Sequence, residues 1–171
     1  MSEPESIEQL ARAALDRLAA RYEVMDCDPA FADTAEFCAR YGISPAKSAN
    51  AILVASRREP KVYAVCVVLA TTKLDVNKKV SELLGVKKLS FASAEETIAA
   101  TGMMIGGVTP FGLRPELPVY VDSRLMALDE VVLGGGSRSC KLRVAPEIFT
   151  RLPSCQVVEG LAMEREPPPS V

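Results

Sequence analysis

The run VYAVCVVLATT, residues 62–72, limits the folds open to this chain more than any other segment. Apolar side chains, many of them β-branched, occupy both of its alternating faces. As a strand it can turn neither face to water, and it belongs in the middle of a covered sheet. ANAILVAS, residues 49–56, is a second run of this kind, and the turn-like RREP between them makes the two a hairpin.

Helix signals surround that hairpin. Ser6 with Gln9 forms a capping box ahead of Ile7, Leu10, Ala11, Ala14, Leu15 and Leu18, which share one helical face, so a helix is predicted over 6–21. YEVMD at 22–26 reads as a short strand. Asp33 with Glu36 opens a second helix that Gly42 ends, and Ser93 with Glu96 opens another that stops at Gly102. Asp75 caps a helix carrying Val76, Val80, Leu83 and Leu84 to Gly85, and KLSFA follows as a strand. PVYVD at 118–122, EVVLGGG at 130–136, CKLRVA at 140–145 and QVVEG at 156–160 are strand-like, with Pro146 placed for the first turn of a short helix. Helices and strands mix without a regular βαβ rhythm, which favours an α+β fold on a mixed sheet.

Composition narrows the chemistry. The 171 residues, 49% of them hydrophobic, suit one sizeable core, and a net charge of −2 offers no overall basic field for duplex DNA. No apolar run reaches the roughly 18 residues of a membrane span, and the acidic MSEPESIEQL lacks the order of a signal peptide, so the expected location is cytoplasmic, with no membrane partner. Five scattered cysteines without a CxxC pair suggest neither a disulfide framework nor a zinc site. There is no histidine, which removes the Ser-His-Asp triad, the Cys-His pair and HExxH metal sites. Lys73, Lys78, Lys79, Lys87 and Lys88 lie on or beside one predicted helix and read as a solvated face.

Two glycine loops remain, GGVTPFG at 106–112 and GGGS at 134–137. Such loops are either turns around a filled core or backbone-built binding sites, because glycine lets other groups approach the main chain and proline stiffens it. Neither is a phosphate-binding P-loop, since the Gly-Lys-Ser/Thr ending is missing. Arg138, Lys141 and Arg143 follow the second loop and suit one or two phosphates. Cys66 reads as packing, whereas Cys27, in the polar DCDP, stands where it can be exposed near a site, and Asp26 and Asp28 either orient a substrate amine or shape a turn.

GGVTPFGLRPELPVYVD at 106–122, with ILVAS, KLSFASAEETIAATG and GGGSRSCKLRVAPEIF in that order, resembles the YbaK family of editing domains, related to the insertion domain of bacterial prolyl-tRNA synthetase, over about residues 22–153. The resemblance implies a single α+β domain with a mixed, mainly antiparallel, partly barrel-like sheet flanked by helices. Residues 1–21 would be a helix packed on the domain, 22–160 the domain itself and 161–171 a flexible tail. It implies hydrolysis of the ester joining a wrong amino acid to the terminal adenosine of a tRNA, of the tRNA(Pro) type, with no metal or cofactor. The partners would be the aminoacylated acceptor end and an aminoacyl-tRNA synthetase.

By the same resemblance Gly106, Gly107 and Thr109 position the ester carbonyl and ribose, Pro110 stiffens their loop, and Asn50 bonds the terminal nucleotide. Lys47, Val108, Phe111, Cys27, Asp28, Gly135, Ser137 and Arg138 are the substrate-binding candidates, Lys47, Ser137 and Arg138 toward phosphate. Many members carry a lysine where this chain has Asn50, and some a histidine at Cys27. A non-catalytic aminoacyl-tRNA or nucleotide-binding module is the alternative. On the catalytic reading, a bulky residue at 107 abolishes activity while the fold survives.

Overall fold

The computed structural model describes residues 6–165. Its elements in chain order are α1 (Ile7–Arg17), β1 (Tyr22–Asp26), α2 (Thr34–Tyr41), β2 (Ala49–Ser56), β3 (Tyr63–Leu69), β4 (Thr72–Leu74), α3 (Ser81–Leu84), β5 (Leu89–Phe91), α4 (Ala94–Thr101), β6 (Val119–Asp122), β7 (Val131–Gly134), β8 (Cys140–Val144), β9 (Cys155–Val158) and β10 (Ala162–Glu164). A π-helical turn at Val76–Val80 leads into α3.

The apolar run does lie at the centre. β3 is third in a five-stranded sheet ordered β5-β2-β3-β6-β9, antiparallel to β2 and parallel to β6. Its two faces serve two cores. Val65, Val67 and Leu69 pack with Ala11 and Leu15 of α1 and with Leu133, Leu142 and Val144 of β7 and β8. Ala64, Cys66 and Val68 face the opposite way, onto Leu74, Val80, Leu161 and Ala162. Each fully buried aliphatic side chain of this kind contributes about 1.5–3 kcal/mol, so both layers are held through one strand.

Five of the seven strand pairings are antiparallel. The strands form sheets of five, three (β1-β8-β7) and two (β10-β4), and an isolated parallel bridge joins Ser48, just before β2, to Val132 of β7. No closed barrel is present among the described residues.

Both capping boxes at Ser6 and Ser93 form as expected, and Gly42, Gly85 and Gly102 end their helices in the left-handed conformation. Asp33 is the exception. It stands at the N-cap of α2 but makes no capping bond there, and its Oδ1 instead accepts from Arg138 Nη1 at 3.0 Å. A charge-assisted bond to a guanidinium outcompetes a bond to one backbone amide. A second difference concerns the stretch from 161, expected as tail. Leu161 is fully buried and residues 162–164 pair with β4, since β4 exposes an edge and the second core needs a lid. The rest of that stretch, residues 166–171, lies outside the described residues.

Candidate functional site

The two glycine loops meet backbone to backbone. The Gly136 N–H donates to the Gly107 carbonyl at 2.8 Å, and a Cβ on Gly107 would stand 2.5 Å from the carbonyl carbon of Ser137. A Cβ on Gly134 would stand 2.2 Å from the Val108 carbonyl oxygen. Glycine is needed here because two main chains touch with no room for a side chain. Gly106 adds a φ of +91°, and its carbonyl turns toward β8.

That carbonyl meets Lys141, which the sequence offers as a phosphate ligand and the structure buries. Lys141 is 4% exposed, and its Nζ donates to Ala32 O at 2.6 Å and Gly106 O at 2.8 Å, with the Phe37 ring centroid 5.4 Å away. Burial pushes its pKa below the ordinary lysine value; Cys27 opposes the shift and Arg138 adds to it. Along β8, Cys140, Leu142 and Val144 are buried, so alternation assigns Lys141 to the opposite face, where a sequence reading expects water. α2 and its Phe37 cover that face instead.

A groove runs along β2 past this lysine. Its central part, about 240 Å³, is lined by Asn50, Ile52, Ile105, Gly106, Val108 and Lys141 among others. Ala51, Ile52, Ile105 and Val108 continue into an apolar lobe of about 230 Å³ closed by Leu53, Phe91 and Thr97. Thr34 and Asn50 are shared with an outer lobe of about 490 Å³ that reaches Arg165. The Thr34 hydroxyl donates to Asn50 Oδ1, which leaves the Asn50 amide N–H groups without a protein partner among the described residues. A separate apolar cleft of about 400 Å³ lies between α1, the 110–115 segment and the 152–155 turn, away from the glycine loops' contact.

The expected site residues divide accordingly. Asn50, Gly106 and Val108 line the central groove. Gly107 and Gly135 lie behind it as packing, the latter with its N–H on Cys140 O at 3.1 Å. Thr109 is fully buried, its N–H directed to Met103 Sδ at 3.4 Å and its hydroxyl without a partner, so it does not reach the groove. Pro110 lines the separate cleft, and Phe111 is fully buried against Phe149. These three turn inward because the segment after Gly107 supplies apolar bulk beneath α1.

The charged candidates are also spoken for. Arg138 donates to Pro29 O at 2.8 Å and Ile105 O at 2.7 Å and pairs with Asp33, which makes it a clamp between loops rather than a free phosphate ligand. The Ser137 hydroxyl donates to the Glu8 carboxylate, and Lys47 is exposed on the turn before β2 and outside the groove lining. Cys27 is buried, its thiol on Asp28 O at 3.4 Å and its pKa pushed up by that burial, which disfavours a thiolate. Asp28 caps the Pro29–Phe31 turn by accepting from the Ala30 N–H at 3.0 Å. Among the described residues no group of three His, Cys, Asp or Glu side chains is placed to hold a metal ion, and no helix is long and apolar enough to cross a membrane.

Comparison with known proteins bears on the family and the fold. The sequence model of the aminoacyl-tRNA editing domain matches residues 28–152. A protein named as a candidate Cys-tRNA(Pro)/Cys-tRNA(Cys) deacylase, EbsC of Enterococcus faecalis, is 27% identical over 95 residues, 56% of this chain and 57% of that one. The uncharacterized protein YwhH of Bacillus subtilis is 32% identical over 106 residues, 62% of this chain and 65% of its own length. The chain thus spans less than two thirds of either relative. Among solved structures, a candidate trans-editing enzyme for prolyl-tRNA synthetase superposes with a TM-score of 0.76 at 23% identity, covering 95% of this chain and 100% of that one. The hypothetical protein APE2540 gives 0.79 at 22%, covering 90% and 99%. At these identities the structures show a shared fold.

Proposed function

We propose, since this chain belongs to the aminoacyl-tRNA editing domain family, that it hydrolyses the ester of mischarged tRNA in trans, on a substrate of the tRNA(Pro) type. The observation that carries the reading is the groove along β2, whose three parts differ in chemistry as the three parts of an aminoacyl-tRNA end do. The apolar lobe takes a small amino-acid side chain. The central part takes the ester and ribose, with the free Asn50 amide as a neutral donor. The outer lobe takes the nucleotide, with the Arg165 guanidinium at its edge. Working on tRNA places the protein in the cytoplasm, with a synthetase as the upstream partner.

Chemically, a water oxygen attacks the ester carbonyl carbon and the carbon–oxygen bond to the ribose breaks. The proton lost by the water ends on the departing ribose oxygen, relayed through the neighbouring ribose hydroxyl. No histidine is required, because the ester is already activated and the protein supplies orientation and excluded water. A second reading, a binding module without turnover, draws support from Thr109 and from the Gly106 carbonyl, whose polar groups are turned inward or already bonded. Deacylation of a panel of aminoacyl-tRNAs by the purified protein separates the two. Ester loss from at least one member supports the hydrolase, and binding with no ester loss from any member supports the module.

A further inference from the structure

Lys141 is a buried lysine with no carboxylate within salt-bridge distance among the described residues. Two of the three protons on its Nζ are committed to the carbonyls of Ala32 and Gly106, and the side chain lines the central groove. The third has no protein partner among the described residues. Removing an ammonium from water without an opposing carboxylate is costly, and an apolar residue of similar length would spare the fold that cost. A role confined to tying Ala32 to Gly106 leaves the third Nζ position, in the lining of the groove, unexplained. Asn50, which lines the same part of the groove, is neutral and contributes donors and no charge.

We infer that Lys141 is a catalytic residue of this site, its third N–H meeting the ester carbonyl oxygen so that the ammonium stabilises the negative charge formed there when water attacks. The inference rests on the deacylase reading. The lysine keeps its proton throughout: the carbonyl π pair moves onto oxygen beside the ammonium, then returns as the ribose oxygen leaves with the water's proton. Its two carbonyl bonds fix the ammonium before substrate arrives, and a charge aimed in advance at a developing oxyanion acts without reorganisation.

The test compares the wild type with Lys141→Met and Lys141→Arg, measuring unfolding midpoint, tRNA affinity and single-turnover deacylation of whichever aminoacyl-tRNA the wild type cleaves. Lys141→Met is expected to fold with a midpoint at or above wild type and to bind within about threefold, yet to cleave about 100-fold more slowly, while Lys141→Arg regains part of the rate. A folded Lys141→Met that cleaves within about threefold of wild type overturns the inference and leaves the deacylase reading standing. So does loss of rate, affinity and stability together in both variants, which marks a purely structural lysine. Should Lys141→Met not fold, Lys141→Gln, which keeps a donor without the charge, is read in the same way. A wild type inert on every aminoacyl-tRNA overturns the deacylase reading and this inference with it.

Discussion

The amide of Gly136 donates to the carbonyl of Gly107 across 2.8 Å, and this bond makes one unit of two loops separated by the whole β6–β7 segment. The central groove has that unit as its floor, so the glycines serve the site by letting its walls touch. Gly107→Ala is therefore expected to destabilise the protein by about 1–3 kcal/mol, since its Cβ would press on the Ser137 main chain at 2.5 Å. Denaturant unfolding measures this. Gly85→Ala, where nothing lies within 4 Å of the added carbon, is the control and loses only the left-handed backbone preference, about 1 kcal/mol. The expectation that a bulky residue at 107 spares the fold is revised on the same ground, because the neighbour is backbone and cannot rotate aside.

Asn50→Ala removes the partner of the Thr34 hydroxyl and the free amide in the groove. Stability should fall by about 1 kcal/mol, while deacylation should fall at least about tenfold, mostly in kcat. An unchanged rate would remove Asn50 from the site.

For Arg138 the expectation is the reverse. Arg138→Met breaks bonds to Pro29, Ile105 and Asp33 and should cost about 2–3 kcal/mol of stability. The slope of tRNA affinity against salt should stay as it was, because this guanidinium is spent within the protein. A salt titration on the folded variant tests it.

Substrate size should respond to the apolar lobe. Ala51→Leu fills the boundary between the lobe and the central groove and is expected to shift discrimination against larger side chains by about 1–3 kcal/mol in kcat/KM. Competition between aminoacyl-tRNAs with small and larger side chains measures it.

Asp122 predicts a pH effect. It is 1% exposed at the end of β6, neither carboxylate oxygen completes a hydrogen bond among the described residues, and Arg124 Nη1 stays at 3.9 Å. Burial raises its pKa above the ordinary 3.8, and Arg124 only partly offsets this. A raised carboxyl contributes stability that is full below 3.8 and lost as pH rises through the shifted value. Asp122→Asn should therefore raise the unfolding midpoint at pH 7, with the gain shrinking as pH falls toward 3.8.

Local signals carried the elements. Capping boxes at Ser6 and Ser93, the glycine helix ends and the doubly apolar β3 depend on residues a few positions apart, and all appear where those residues place them. The two loops stood out as well, with six glycines between them, but their contact with each other came from the tertiary structure.

The sequence by itself thus determined the covered sheet, the helices around it and the family to which the chain belongs. The tertiary structure alone decided whether polar positions such as Lys141 on β8 and Thr109 in the first glycine loop met water. Lys141 and Thr109 each sit in a pattern that reads either way. α2 closes over the lysine and the core swallows the threonine because burial depends on elements distant in the chain, about which side-chain alternation says nothing.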